Sequence, residues 1–159
     1  MSSKLYDEVP SLDLADFTSG NPEKKAAFIQ ALGEAYHNIG FVAIKNHGLT
    51  DEMTTKLYAT IQAFFGLSDE VKQQYEVPEL AGQRGYIGKG KEHAKGRTTG
   101  DLKEFYHIGQ DVTDGDSIKS EYPDNIWPGE LPQMEEIGLH VYKTLEDTGV
   151  KMLQAIALY

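Results

Sequence analysis

The run Gly40-Phe41-Val42-Ala43-Ile44-Lys45-Asn46-His47-Gly48-Leu49 constrains the fold more than any other stretch. A glycine opens it, β-branched and other apolar residues fill it, and an Asn-His-Gly turn closes it. Such a run between two helical patterns predicts a buried strand. In the preceding pattern Phe28, Leu32, Ala35, Tyr36 and Ile39 recur at helical spacing. Asn21 is placed to cap that helix, with Pro22 at its first position, where a missing N–H costs little. In the following pattern Met53, Leu57, Ile61, Phe64 and Phe65 form one stripe. Thr50 caps it, and Asp51 and Glu52 favour its positive end.

The rest of the chain adds short pieces around this centre. Val9-Pro10-Ser11-Leu12-Asp13-Leu14 predicts an edge strand, because Pro10 cannot donate to a central ladder. Ser68, followed by Asp69 and Glu70, starts a short helix. From Leu80 to Gly100 six glycines break any helix, while Arg84, Lys89, Lys91, Lys95 and Arg97 concentrate positive charge. That segment reads either as a solvated loop or as a pocket wall facing an anionic small molecule. Asp101 to Gly109 predicts a further strand, and Asp111 to Gly129 is rich in turns. Pro132 opens a final helix with Met134, Ile137, Val141, Leu145, Met152 and Ile156 on one face. Through Tyr159 it would run on the order of 40 Å at about 1.5 Å per residue. It ends on an apolar stripe without glycine, proline or a basic cap, so a packing partner is expected beyond Tyr159. No boundary between two folded domains is visible.

Composition excludes several classes. The formal charge of −10 argues against nucleic acid or an anionic membrane as the main partner. The absence of cysteine removes disulfides, thiolate metal sites and Cys nucleophiles. No stretch approaches the ~20 apolar residues of a membrane helix, and Met1 to Tyr6 has no signal core. The expectation is a soluble cytoplasmic protein.

Chemistry-bearing motifs are sparse. Gly85 to Glu92 has the G-x-x-x-x-G-K spacing of a phosphate loop, but Glu92 stands where Ser or Thr should meet Mg²⁺ and would repel phosphate. His37, His47, His93, His107 and His140 are far apart, and none begins His-x-Asp, His-x-Glu or H-E-x-x-H. They read as surface or hydrogen-bonded core histidines. The carboxylates lie in exposed-looking loops and helix starts. No metal ligand and no catalytic residue is assigned within the chain.

The order of segments does resemble a family. Val9-Pro10-Ser11-Leu12-Asp13-Leu14 resembles the I-P-x-I-D-L opening of the isopenicillin N synthase-like, iron(II)- and 2-oxoglutarate-dependent oxygenases. Gly40 to Leu49 is similar to their G-F-F-x-V-x-N-H-G-I, and Phe64 to Lys72 to their F-F-x-L-P-x-E-x-K. Arg84-Gly85-Tyr86, Lys103 to Gly109 and Asn125-Ile126-Trp127-Pro128 resemble the later G-Y, K-E-x-F-D-I-G and N-x-W-P segments.

The resemblance implies an α+β fold: a helical N-terminal layer with a few strands that would extend the double-stranded β-helix, or jelly roll, of a complete enzyme. Residues 1–130 would be the non-haem dioxygenase N-terminal region. Residues 131–159 would be the long helix underlying a catalytic jelly roll that this chain lacks. The implied cofactors are Fe(II) and 2-oxoglutarate, and the implied partners a small-molecule substrate and O₂. The family's His-x-Asp, distant His and Arg-x-Ser do not occur here, so this segment alone is expected to be inactive. Arg84 and Tyr86, at the G-Y segment, are the candidate substrate-binding residues. Arg84 would pair bidentately with a substrate carboxylate; the competing reading is a surface arginine in a basic loop. The alternative for the whole chain is a non-catalytic binding or regulatory module derived from such an oxygenase.

Overall fold

The computed structural model describes residues 8–91, 96 and 100–159. Glu92, His93, Lys95 and Arg97, which entered the phosphate-loop, histidine and basic-loop readings, lie outside the described residues, as does the segment Met1 to Tyr6. The chain divides into two units, Met1–Leu49 with Lys143–Tyr159, and Thr50–Tyr142.

In the first unit β1 (Ser11–Asp13) pairs in parallel with β2 (Ala43–Lys45), placing Leu12 opposite Ile44. Parallel pairing needs a crossover, here α1 (Leu14–Thr18) and α2 (Pro22–Asn38). The first of these helices was not expected. Asp13 starts it by accepting a hydrogen bond from the Ala15 N–H at 2.9 Å. Asn21 caps α2 as anticipated, accepting from Glu23 and Lys24 at 2.9 and 3.1 Å. Leu14, Phe17, Phe28, Leu32, Met152 and Ala155 form the core, with Val42 and Ile44 packed against it.

The buried-strand reading of Gly40 to Leu49 is corrected. Phe41 is 69% exposed, and β2 alternates exposed, half-buried, exposed. Strand side chains point alternately to opposite faces, and the helices cover one face only. The Asn-His-Gly turn is tightly held. Asn46 takes φ 54° and donates its amide to both Asp13 carboxylate oxygens at 2.8 Å. Thr148 donates its hydroxyl to the His47 carbonyl at 2.7 Å.

In the second unit α3 (Asp51–Phe65) is capped by Thr50, whose hydroxyl accepts from Met53 at 3.1 Å. Ser68 caps α4 (Asp69–Gln73). β3 (Gly85–Ile87) and β4 (Phe105–His107) form an antiparallel pair with Tyr86 opposite Tyr106. The ring of Phe64 packs edge-on against Tyr106, centroids 4.7 Å apart, and against Tyr86 at 5.9 Å. Residues 108–132 contain a single 3-10 turn, Lys119–Glu121, as their turn-rich composition predicts.

The last helix, α5, spans Gln133–Leu158, with Pro132 just before it. Met134, Val141, Met152 and Ala155 are buried, but Leu145, Leu153 and Ile156 are exposed. The apolar face read for this helix is thus buried in part and exposed in part. Met134 belongs to one core and Met152 to the other; Leu145, between them, belongs to neither. The architecture is mixed helix with two small sheets, as the α+β expectation has it. Among the described residues, no helix is long and apolar enough to cross a membrane.

Candidate functional site

The β3–β4 ribbon of the second unit carries the two residues singled out in the sequence. Its sharp start depends on Gly85, at φ +77°. A Cβ there would collide with the Tyr75 carbonyl, which accepts the Tyr86 N–H at 2.9 Å. Only glycine combines this positive φ with so close a backbone approach.

Tyr86 is 4% exposed, and its hydroxyl donates to Glu104 Oε2 at 2.6 Å. The same oxygen accepts from Lys72 Nζ at 2.8 Å. Lys72 is 3% exposed and also meets Asp69 at 3.0 Å. Glu104 Oε1 has the Lys89 ammonium 3.6 Å away. The three groups reinforce one another. The bonds from Lys72 and Tyr86 hold the Glu104 carboxyl below the usual glutamate range. Glu104 in turn holds the Lys72 ammonium above its ordinary value, against the opposing effect of burial. Burial, then the Glu104 carboxylate, pushes the Tyr86 phenol up to about 12. At neutral pH this is a charged pair with a neutral tyrosine donor.

Arg84 is 8% exposed, so the surface-arginine reading fails. Its Nη1 donates to the Gln83 carbonyl at 2.8 Å, and its buried Nε has no partner. The guanidinium lies where a Cβ on Gly109 would stand. Gly109 is locked in place by Asn125, which accepts from its N–H at 2.8 Å and donates to its carbonyl at 3.0 Å. Arg84 precedes β3 and is separated from Tyr86 by Gly85 at positive φ; the structure turns Arg84 to Gly109 and Tyr86 to Glu104.

A cavity of about 260 Å³ opens beside Phe64, and neither Arg84 nor Tyr86 lines it. Leu57, Ile61 and Phe65 of α3 form one wall, Tyr106 and Ile108 a second, and Ile137 of α5 a third. Glu104 is the one acidic residue along it, and it also lines a separate polar pocket with Tyr86 and Lys89. The Tyr106 hydroxyl is spent on the Ile126 carbonyl at 2.5 Å, and burial raises its phenol.

The sequence assigned no role to Lys72 or Glu104, although they stand at the lysine that ends the Phe64 to Lys72 segment and the glutamate of the Lys103 to Gly109 segment. Their pairing spans 32 residues, so no local pattern joins them.

The described histidines do not converge. The His47 Nδ1 accepts from the Leu49 N–H at 3.3 Å, and the His107 Nδ1 meets the Gly82 carbonyl. His37 lies in α2 and His140 in α5. Among the described residues, no three His, Cys, Asp or Glu side chains stand together in a way that could hold a metal ion. The described residues do not supply the donor set of an iron centre.

Residues 9–130 match the family described as non-haem dioxygenase in morphine synthesis N-terminal. The chain belongs to this family. The dioxygenase N-terminal region found here is 32% identical to the proline hydroxylase buaE of Petromyces alliaceus, covering 94% of this chain and 47% of that protein. It is 31% identical to the validamycin A dioxygenase of Streptomyces hygroscopicus subsp. limoneus, covering 82% of this chain and 37% of that one. A crystal structure of a Caulobacter crescentus protein, described as of the 2OG-Fe(II) oxygenase family, superposes with TM-score 0.81 at 32% identity. It is covered over 48% of its length by 95% of this chain. A Neurospora crassa protein solved in complex with alpha-KG shares the fold, with TM-score 0.77 at 22% identity. The chain thus spans about half, or less, of the length of these relatives.

Proposed function

We propose that this chain is the N-terminal portion of an iron(II)- and 2-oxoglutarate-dependent dioxygenase that oxidises a small molecule with O₂. The observation that carries the reading is the partial match. Nearly the whole chain superposes on a protein of the 2OG-Fe(II) oxygenase family, yet it accounts for only 48% of that protein. Metal and 2-oxoglutarate ligands would then come from sequence following Tyr159. On this reading residues 1–130 form the accessory region and residues 131–159 the helix beneath a jelly roll, whose sheet the β3–β4 ribbon would extend. The half-covered β2 and the exposed residues of α5 support that arrangement. Arg84 and Tyr86 would wall the substrate pocket, Arg84 taking a substrate carboxylate; its buried Nε without a partner supports this role. The working compartment would be the cytoplasm.

The test compares two polypeptides: the chain as it stands, and one carrying the coding sequence downstream of Tyr159. Iron-dependent conversion of 2-oxoglutarate to succinate is followed in each. The longer form should turn over and the short form should not. Turnover by the short form, or a longer form with no 2-oxoglutarate dependence, refutes the reading.

A further inference from the structure

Among the described residues, Gly33, Gly138 and Gly149 lie inside helices. Glycine weakens a helix relative to alanine, so a gain from close packing is expected at each. Two of them show it. A Cβ on Gly33 would collide with the Tyr159 ring, and one on Gly138 would stand 2.7 Å from Ile108 and 3.3 Å from Trp127. Gly149 does not. Apart from its chain neighbours and its own helix backbone, no described atom lies within 4 Å of where its Cβ would stand. Leu145, Gly149, Leu153 and Ile156 follow at helical spacing and share one side of α5. The three large residues are exposed, Leu153 by 67%. Met152 and Ala155, further round the helix, are buried in the core of the first unit. Lys143, Asp147 and Gln154 form the polar side, where Lys143 meets Glu146 and Asp147 at 2.8 and 3.1 Å. A surface helix ordinarily has one apolar stripe. This part of α5 has two, one filled and one open, and the open one is notched at Gly149.

We propose that the open side of α5 is a docking seam for the polypeptide that follows Tyr159, with one bulky apolar side chain of that polypeptide seated over Gly149, between Leu145 and Leu153. The inference rests on the dioxygenase reading, which supplies the occupant: this chain accounts for 48% of the Caulobacter crescentus protein on which it superposes. Single exposed apolar residues need no explanation, but a run of them in register marks a contact surface. Covering Leu145, Leu153 and Ile156 takes apolar area out of water. A missing side chain in the middle of the run lets a facing side chain enter as a ridge enters a groove.

The 159-residue chain has no cysteine, so an introduced thiol reports on each side of the helix. In the polypeptide that continues past Tyr159, Leu153→Cys should react with iodoacetamide at least tenfold more slowly than Gln154→Cys, at its exposed neighbour on the polar side. In the 159-residue chain the two should react alike. Gly149→Ala should raise the folding equilibrium constant of the short chain about fivefold, the helix-propensity gain alone. In the longer polypeptide Gly149→Leu should lower that constant about tenfold or more, because two side chains then compete for the notch. Equal labelling at 153 and 154 in the longer form overturns the proposal, as does a gain in stability from Gly149→Leu there. So does protection that appears only as the longer form dimerises at higher protein concentration, a second copy then holding the face. Protection at 153 in a longer form without 2-oxoglutarate turnover supports the seam and sinks the dioxygenase reading. Turnover with equal labelling sinks the seam alone.

Discussion

The buried ammonium of Lys72 carries a cost that its partners must offset. An ammonium 3% exposed is tolerable only because Glu104 lies 2.8 Å away, with Tyr86 completing the carboxylate's shell. Lys72→Met should destabilise the chain by about 3 kcal/mol, the low end for breaking a buried pair, as read by urea unfolding. Lys72→Met with Glu104→Leu should cost less than the sum of the two single changes, because no lone charge is then left inside. The pH dependence follows from the same bonds. The Glu104 carboxyl is held low by Lys72 and Tyr86, so its contribution is present above the ordinary glutamate value of about 4.3 and lost as pH falls through the lower folded value. The Tyr86 contribution is present below the ordinary tyrosine value of about 10 and lost as pH rises through about 12. Stability against pH should therefore fall at both ends, and Glu104→Gln should flatten the acid arm. Gly109 carries a different constraint. Gly109→Ala drives a methyl into the Arg84 guanidinium and should cost about 1–3 kcal/mol, as overpacking does. Combining it with Arg84→Ala should relieve part of that loss in the same assay.

The helices start where local chemistry says they should. Asn21, Thr50 and Ser68 each accept a backbone N–H with the side chain, and each was legible because capping is decided within a few residues. Asn21→Ala and Thr50→Ala should each cost about 1 kcal/mol, measurable as lowered thermal midpoints. The strands were less legible. β2 reads as buried from its apolar run, yet Phe41 stands 69% exposed, because composition cannot report whether the second face of a sheet is covered. The first turn after β1 was also hidden. Asp13 both caps α1 and binds Asn46, and the second of those bonds links residues far apart in sequence.

Helix α5 contributes residues to both units. No composition shift marks the division of the chain, because one of its boundaries falls inside that helix, between Tyr142 and Lys143. Adjacent residues on it should behave oppositely. Met152→Ala, in the core of the first unit, should cost about 2–5 kcal/mol. Leu153→Gln, on the exposed side, should change stability by about 0.5 kcal/mol or less; both are read from denaturant midpoints. The sequence by itself determined the starts of α2, α3 and α4 and the family its segments resemble. These are set by short-range hydrogen bonding, backbone sterics and apolar period. Tertiary structure alone decided that Arg84 is buried over Gly109 and that Lys72 and Glu104 meet. Such pairings join residues far apart along the chain, and a charge that will be buried is written with the same letter as one that will stay in water.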